Sequence, residues 1–462
     1  MLDGVVTALS QAGIPLLTSQ DAEFTQTLNS YTGIPDGKPT VVTLPTTSEQ
    51  VAAIVALCIE TNSDMVVRGG GHDVFGRFSA HNAVIIDLRK LNAVVVSEDK
   101  STVRVGGGVT ASRVLDELEK HGLQVPVGSC GSVGFTSWCL VGGLGPYSES
   151  YGLGADQIVG AKMVDSRGRL VDADERLLKG LRGGGGCLGV VVELTVKAYP
   201  LQNVRAGLLM FDSGNIENAV TTFFTNYDVM LTTHHGNVPS QLSTTPFIIS
   251  MPGLGSTLMC CFVWNGPATE ETVVWLERVA SLAPLAPGVP GPQDAVKDMT
   301  PVGYMTMLNS FLPTQVAGRA QTATVVKFSP DVVASIAKQS LQMPRGGAGG
   351  LNIHMLRPGN PSCSKDIPSS VCPYREPQVF IEVLGFAGEE CSVEDATAWS
   401  LEARNAFTSL DDSCKRTYLP LTAPEFLNLQ DIYGDKLREL KEIKKEYDPN
   451  GVFKLTVPAL VD

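Results

Sequence analysis

The 462-residue sequence predicts an α+β fold in which one chain forms two domains. Glycine-rich loops alternate with short strands and helices up to residue 202, alternating strands with interspersed helices follow, and an amphipathic helix is predicted near the C-terminus. A chain of this length can bury more than one core. We therefore expect a discontinuous first domain from 1–202 and 416–462. A second domain over 203–415 is expected to be a sheet with helices on one face.

The first domain begins with a strand and a helix. Residues 41–44 form a short apolar run that a proline ends, which is typical of a buried strand. Thr46 and Thr47 offer N-caps to the helix, each with an acidic or amide side chain three residues on, as in a capping box. Apolar residues at helical spacing mark the buried face of this helix, namely Val51, Ile54, Val55, Cys58 and Ile59.

Similar patterns predict the rest of the first domain. Residues 65–68 form a strand that runs straight into three glycines, and 83–88 form another. Thr110 caps a helix that ends at His121-Gly122, where glycine occupies the position expected after the last turn. Further strands are predicted at 103–105, 158–164, 170–171 and 189–199.

The second domain and the C-terminus differ in pattern. Residues 257–263 and 379–386 are typical of strands. Residues 434–447 place leucines and an isoleucine at helical spacing, and the Asp-Pro-Asn-Gly sequence at 448–451 ends that helix.

Composition narrows the class of function. The formal net charge of −13 argues against nucleic acid or an anionic membrane as the main partner. No apolar run reaches membrane-spanning length. The N-terminus lacks a basic start followed by an apolar stretch, so we expect no signal peptide and a cytoplasmic protein, with a processed secreted precursor as the alternative.

Cysteine and histidine spacing gives no metal site. None of the ten cysteines forms a CxxC pair, so zinc is not expected. Cys363 and Cys372 flank a Ser/Pro-rich loop and could form one disulfide or stay as two free thiols. His234-His235 has no third ligand at metal spacing, so we interpret this pair as part of a loop.

Two glycine-rich segments carry the most informative chemistry. Arg68–Asp73 reads Arg-Gly-Gly-Gly-His-Asp, and Cys130 lies 58 residues after His72 in a second such segment. Glycine lets backbone approach a phosphate or a flat ring closely, and each segment supplies a nucleophile. Alone, three glycines could equally form a tight turn, a histidine is more often structural, and a cysteine is more often a small buried apolar residue. Together they suggest a tethered organic cofactor, with flavin as the first candidate.

These motifs resemble the berberine-bridge-enzyme-like flavoproteins of the vanillyl-alcohol-oxidase superfamily. The resemblance runs from about residue 39 to 200 and resumes at 418–453. It implies a p-cresol methylhydroxylase (PCMH) type FAD-binding fold with an antiparallel-sheet substrate domain. In that family, a histidine in the position of His72 bonds to the flavin 8α-methyl group, and a cysteine in the position of Cys130 bonds to flavin C6.

The resemblance also implies which residues bind FAD. Residues 181–186 with 189–191 resemble the family's strand beneath the adenine, and 447–453 resemble its closing motif. Phe135–Trp138 and Val141 depart from the usual glycines and are expected to thicken the wall near the flavin ring. The implied FAD-binding residues are Arg68, Gly69, Gly70, Gly71, His72, Asp73, Gly76, Gly128, Ser129, Cys130, Val133, Gly134, Ser137, Trp138, Gly142, Gly145, Val190 and Val191.

The catalytic base has two candidates. Tyr418 matches a family tyrosine, although the asparagine that often follows it is Pro420 here. A cationic or flavin neighbour could lower its pKa, or it could be an ordinary core tyrosine. Glu382, on the predicted strand at 379–386, could face either the site or solvent. His354 and Arg357 could contact substrate or be ordinary residues at the sheet edge.

The resemblance implies an FAD-dependent oxidase. Hydride would pass from a small-molecule substrate, such as an alcohol, sugar or natural-product intermediate, to a flavin attached at two points. O₂ would then reoxidise the flavin and give H₂O₂, in a monomer or homodimer. The alternative is an FAD-containing cyclase of secondary metabolism with little net redox role for the flavin. A flavin-free binding protein is a third alternative, and the intact Arg68–Asp73 loop argues against it.

Overall fold

A computed structural model describes residues 2–33, 35–233, 237–251, 253–313 and 315–460. The His234-His235 pair lies outside these residues. No helix within the described ranges is both long and apolar enough to span a bilayer. The structure contains three sheets of four, five and eight strands and one isolated strand pair.

The four-stranded sheet supports the first glycine-rich loop, which follows its strand β3 (Met65–Arg68). Its strands lie in the order β1-β2-β4-β3, with the last three parallel and β1 antiparallel to β2. The threonine cap is confirmed, because the Thr47 side chain accepts the Gln50 N–H while Gln50 Oε1 accepts the Thr46 N–H. The elements are α1 (Leu2–Gln11), β1 (Leu16–Leu17), α2 (Phe24–Leu28), β2 (Val41–Thr43), α3 (Ser48–Glu60), β3 (Met65–Arg68) and β4 (Val84–Asp87).

The five-stranded sheet is antiparallel and carries the second glycine-rich segment. Its strands lie in the order β5-β6-β10-β8-β9, and β7 pairs with β11 apart from it. The strands are β5 (Val94–Val96), β6 (Thr102–Gly106), β7 (Leu123–Gln124), β8 (Ile158–Val164), β9 (Leu170–Asp172), β10 (Val190–Lys197) and β11 (Tyr199–Pro200). The helices are α4 (Ala111–Lys120), α5 (Phe135–Leu140), α6 (Ser148–Tyr151), α7 (Gly154–Gln157) and α8 (Glu175–Gly184).

The expected strand over 181–186 is wrong, because residues 181–184 form the last part of helix α8. Asp174 caps α8 by accepting the Leu177 N–H. Gly183 and Gly185, with φ of +113° and +64°, then turn the chain toward β10, so only the part from Val190 onward is a strand.

The eight-stranded sheet is antiparallel, in the order β15-β12-β14-β13-β17-β18-β16-β19. As predicted, helices cover one of its faces, namely α9, α10, α13 and α14. The core between them and the sheet is rich in phenylalanine. The strands are β12 (Val204–Met210), β13 (Leu242–Met251), β14 (Gly255–Asn265), β15 (Val296–Met299), β16 (Gly318–Val325), β17 (Gly350–Leu356), β18 (Gln378–Phe386) and β19 (Ser413–Cys414). The helices are α9 (Ile216–Thr233), α10 (Glu270–Ala280), α11 (Pro292–Ala295), α12 (Pro301–Phe311), α13 (Pro330–Gln342) and α14 (Val393–Thr408).

The C-terminal stretch packs back on the first part of the chain. It forms α15 (Leu429–Tyr433) and α16 (Lys436–Tyr447), which confirms the predicted helix with a start two residues later. Leu440 and Ile443 of α16 lie against Gly184 and Gly180 of α8, where a Cβ atom would come within 3 Å of either side chain. These contacts join the two ends of the chain. The domain boundaries near 202 and 415 stay predictions.

A buried ion pair fixes the end of α16. The ammonium group of Lys444 contacts the Asp448 carboxylate and donates to the Cys187 carbonyl at 2.7 Å. Asp448 also accepts the backbone N–H groups of Val452 and Phe453. Removing one partner would leave a buried charge without compensation, which is a costly change.

Asp448→Ala is therefore expected to lower the free energy of unfolding by about 3–5 kcal/mol, measured by urea denaturation. Glu442→Ala is the matched control, since Glu442 lies on the same helix and forms an exposed pair with Arg438 at 3.9 Å. The control should change the free energy by less than about 1 kcal/mol. Equal effects of the two substitutions would contradict a stabilising role for the buried pair.

Candidate active site

The two glycine-rich segments meet directly. Gly70 lies against Gly134, and a Cβ on Gly70 would stand 2.4 Å from the Gly134 nitrogen. Gly71 has φ +72°, which favours glycine. A Cβ on Gly69 would stand 2.8 Å from the Ser137 Oγ. Only glycine permits this approach, which brings the residues after β3 beside those before α5.

His72 and Cys130 come together at this contact. The Cys130 Sγ lies 3.4 Å from the His72 Nε2 and 3.2 Å from the Ser132 Oγ. Burial raises the pKa of the Cys130 thiol, but the hydrogen bonds and charge interactions from His72 and the hydrogen bonds from Ser132 outweigh it and lower the pKa to about 7. A substantial fraction of the thiol is therefore a nucleophilic thiolate at neutral pH.

Protein prepared without flavin is expected to react with iodoacetamide at Cys130 with a midpoint near pH 7. Because His72 is the main group that lowers this pKa, His72→Ala should move the midpoint upward. Peptide mass spectrometry at graded pH measures the modified fraction, and Cys58, whose pKa burial raises to about 12, is the internal control. An unchanged midpoint in His72→Ala would contradict the coupling.

Tyr31 completes the surroundings of His72. Its ring stacks on the imidazole with centroids 4.1 Å apart and an angle of 18°. Burial, followed by the charges of Cys130 and Glu382, raises the pKa of Tyr31 to about 12. Sequence reasoning missed this residue because it lies in an irregular N-terminal segment without a motif.

The Arg68 side chain contacts protein backbone. It is 2% exposed, and its guanidinium donates to the carbonyl oxygens of Thr27 and Asn29. Burial is the main cause that lowers the Arg68 pKa to about 10. The guanidinium thus fixes the segment just before Tyr31, and the predicted FAD contact of Arg68 stays a prediction.

Asp73 organises the turn after His72. Its carboxylate accepts the Phe75 N–H at 2.9 Å and the Arg77 Nε–H at 2.8 Å. Arg77 then donates to the Pro420 carbonyl at 2.7 Å, which ties this turn to the C-terminal return of the chain. Gly76, with φ +67°, packs against Pro35.

Helix α5 carries the residues that are expected to thicken the wall near the flavin ring. Trp138 is buried and points into the core, where its ring lies against Gly128 and its Nε1 donates to the Leu144 carbonyl at 3.1 Å. Ser137 is the exposed residue of this helix, and its Oγ donates to the Gly134 carbonyl. The difference follows from the helical period, which turns positions 137 and 138 to different sides.

The other predicted FAD-binding residues lie around these loops. Gly142 lies against the Tyr374 ring, and Gly145 lies against the Val127 carbonyl. Ser129 and Val133 are partly exposed beside Cys130. Val190 and Val191 pair with β8, and the Val191 carbonyl lies against Gly107. Their contacts with FAD stay predictions.

Tyr418 is a buried tyrosine whose oxygen accepts the Leu144 N–H at 3.3 Å. Its ring packs between those of Phe380 and Tyr374. Burial, with the charge of Glu382 as a smaller cause, raises its pKa above the ordinary value, opposite to the expected lowering. The hydroxyl is therefore protonated across the usual pH range.

Glu382 lies at the centre of a polar cluster on β18. Its carboxylate accepts from the Asn352 side chain at 2.9 Å and lies 3.4 Å from the His354 Nε2. Burial raises the Glu382 pKa, but His354 and Asn352 together outweigh it and leave the pKa lowered. Glu382 is therefore an ionised, partly buried carboxylate that can accept a proton.

His354 and Arg357 have different surroundings. His354 joins the Glu382 cluster, whereas Arg357 pairs with Glu149 at 3.1 Å and donates to the Leu242 carbonyl. Both line a cleft with about 320 Å³ of empty space. The other lining residues are Leu144, Gly145, Glu149, Ser243, Thr244, Thr245 and Met355.

The residues of the two loops fit a flavin cofactor. The nucleophilic pair has the chemistry that bonds to electron-poor ring carbons, and the glycine backbone permits close approach. Within the described ranges, no group of three or more histidine, cysteine or acidic residues could hold a metal ion. Cys363 and Cys372 are both free thiols in this structure, so they do not form a disulfide here.

Comparison with known proteins shows which enzymes this chain resembles. Residues 39–174 match the FAD binding domain family. The chain is 29% identical to the FAD-linked oxidoreductase aurO of Gibberella zeae over 92% of this chain and 81% of that protein. It is 38% identical to berberine bridge enzyme-like D-1 of Nicotiana tabacum over 32% of this chain and 28% of that one.

A solved structure extends the comparison to the fold. Glucooligosaccharide oxidase from Acremonium strictum, which carries a 6-S-cysteinyl, 8α-N1-histidyl FAD, superposes with a TM-score of 0.80 at 16% identity, over 97% of each chain. This likeness supports the PCMH-type FAD-binding fold with an antiparallel sheet. The chain is an enzyme with an FAD binding domain, and it is similar to FAD-linked oxidoreductases and to berberine bridge enzyme-like proteins.

Proposed function

We propose that this enzyme is an oxidase that transfers hydride from a small-molecule substrate to FAD held covalently by His72 and Cys130, with O₂ as the acceptor and H₂O₂ as the product. The observation that carries the proposal is the 3.4 Å contact between the His72 imidazole and the Cys130 sulfur. Attachment at two positions of one flavin requires two nucleophiles that lie close together. His72 and Cys130 do so, each on a glycine-rich loop.

Each nucleophile has a defined role in holding the cofactor. When bound, FAD accepts hydride and passes electrons to O₂. Cys130 offers a thiolate, whose nucleophilicity the lowered pKa supports. His72 offers its second ring nitrogen, since Nε2 faces the Cys130 sulfur. Two bonds would hold the ring without protein walls on every side, which leaves one side of it open to substrate.

We assign Glu382 as the base that accepts the hydroxyl proton of the substrate. Its carboxylate is ionised and partly buried, so it is available to accept a proton at neutral pH. Asn352 and His354 hold it from the neighbouring strand β17. Tyr418, with its raised pKa, retains its proton and is suited to donate a hydrogen bond. The base would take the hydroxyl proton as hydride leaves the adjacent carbon.

The cleft beside Glu382 supports a hydroxylated substrate. Ser243 and Thr245 line it, and their hydroxyl groups can donate or accept hydrogen bonds, whereas the Thr244 hydroxyl bonds to that of Tyr227 at 2.6 Å. The Acremonium enzyme oxidises a glucooligosaccharide, and we propose that alcohols, sugars and phenolic natural products are the first classes to test here.

The test is anaerobic mixing of the holoenzyme with each substrate class. Bleaching of the oxidised flavin absorbance, followed by stoichiometric peroxide when air is admitted, is the expected result. Heat-inactivated enzyme with the same substrate is the control. A product that forms without bleaching and without peroxide would contradict the oxidase proposal and favour the cyclase alternative.

A further inference from the structure

Tyr31 lies where the flavin-attachment loops meet the eight-stranded sheet. One face of its ring stacks on the His72 imidazole at 4.1 Å. Phe386 of β18 approaches the same ring edge-on, with centroids 6.5 Å apart and an angle of 81°. The histidine ring is thus held from a side that neither glycine-rich segment provides.

The backbone fixes Tyr31 in this place from both sides. Its N–H donates to the Gly71 carbonyl at 3.4 Å, and its carbonyl accepts the Val316 N–H at 2.9 Å. Tyr31 is part of the tight turn from Ser30 to Gly33, in which those two residues exchange hydrogen bonds in both directions. Together with the Arg68 contacts just before it, these bonds leave the ring little freedom to move away from His72.

The stack restricts the His72 imidazole to one plane. Within that plane, the Cys130 sulfur occupies the Nε2 side. The Nδ1 side has no hydrogen-bond partner among the described residues, so that nitrogen is free to form a bond. Rotation of the imidazole about its Cβ–Cγ bond would move Nδ1 out of line, and the Tyr31 ring opposes this rotation. Holding a reacting atom in line speeds bond formation.

We propose that Tyr31 is the positioning residue for covalent attachment of the flavin to His72. The inference rests on the histidine bond in the proposed function. Overall, attachment replaces one C–H bond of the 8α-methyl group and the imidazole N–H bond by a C–N bond. The two hydrogens leave as two protons and two electrons, and O₂ takes up both as H₂O₂. Tyr31 takes no part in this exchange and acts only through the orientation of His72.

The phenol oxygen is not required for this role. Burial raises the pKa of Tyr31 to about 12, so its hydroxyl stays protonated at neutral pH. The contact with His72 is made by the ring. Tyr31→Phe keeps the ring and should attach flavin as the parent does, whereas Tyr31→Leu and Tyr31→Met fill space without one. Two variants without a ring allow the test to proceed if one does not fold.

The experiment isolates the histidine bond in a Cys130→Ala background. Each variant is purified, incubated with FAD in air, sampled over time and precipitated with acid, and the flavin in the pellet is divided by the total flavin before precipitation. We expect Tyr31→Leu and Tyr31→Met to attach flavin roughly two- to tenfold more slowly than the parent. Tyr199→Leu is the matched control, since it removes a ring that packs on Tyr151 with centroids 4.2 Å apart, and its attachment rate should equal the parent's.

The outcomes separate this inference from the proposed function. Equal attachment rates in the parent and both ringless variants would overturn the role of Tyr31 and leave the histidine bond intact. A parent that retains no flavin in the pellet would overturn the histidine bond itself, and the inference with it. Slow attachment in Tyr31→Phe as well would show that the hydroxyl acts, which contradicts orientation by the ring.

Discussion

Changing both His72 and Cys130 to alanine is expected to leave no flavin in acid-precipitated protein. Each single variant should keep one bond, because His72 would attach to the 8α-methyl carbon and Cys130 to the ring carbon C6. Flavin in the washed pellet, measured by absorbance and by fluorescence in a denaturing gel, should therefore persist in each single variant and vanish in the double variant.

The absorbance spectrum tests the cysteine bond separately. A sulfur on the flavin ring alters its electronic transitions, so Cys130→Ala should differ from the wild type before precipitation. Cys414→Ala is the matched control, because Cys414 is also partly exposed and lies on β19, away from the loops. A Cys130→Ala spectrum identical to the wild type would contradict attachment at two points.

Glu382→Gln is expected to slow flavin reduction by substrate by about 10²–10⁴-fold, the usual contribution of a general base. The amide keeps the shape of the side chain but cannot accept the proton. Stopped-flow absorbance under anaerobic conditions measures the rate. Glu270→Gln, at the exposed start of α10, is the matched control and should react at the wild-type rate.

The pH dependence of this step follows from the lowered pKa of Glu382. A carboxylate base accepts a proton only in its ionised form, and a lowered pKa keeps it ionised in more acidic solution. The rate of reduction should therefore be constant through neutral pH and fall only below the ordinary glutamate value of 4.5. A larger loss in Tyr418→Phe than in Glu382→Gln would instead make Tyr418 the base.

The two loops could be predicted from the sequence because their signals are local. The combination of three glycines, a histidine and a cysteine in glycine-rich surroundings indicates a cofactor site. The apolar residues before the first loop indicate the strand. Helix α16 was predictable for the same reason, since helical spacing and its Asp-Pro-Asn-Gly stop lie within one stretch of chain.

The partners of these residues could not be predicted in the same way. His354 meets Glu382 only because β17 pairs with β18 in one register, with Asn352 opposite Glu382. A shift of one residue would turn these side chains to the other face. Tyr31 reaches His72 across an irregular segment whose path depends on the buried Arg68. The burial that raises the pKa of Tyr418 depends on rings from other segments of the chain.

The hydrogen bond from Arg77 to Pro420 has a consequence for how the enzyme is made. The turn that carries His72 is braced by a residue synthesised almost 350 positions later, and Tyr31 is braced by Val316. A nascent chain on the ribosome gains the support of Tyr31 only once Val316 has emerged, and the support of the His72 turn only once Pro420 has emerged. If flavin bonds to His72 as proposed, the order of synthesis places that bond after residue 420 has been made.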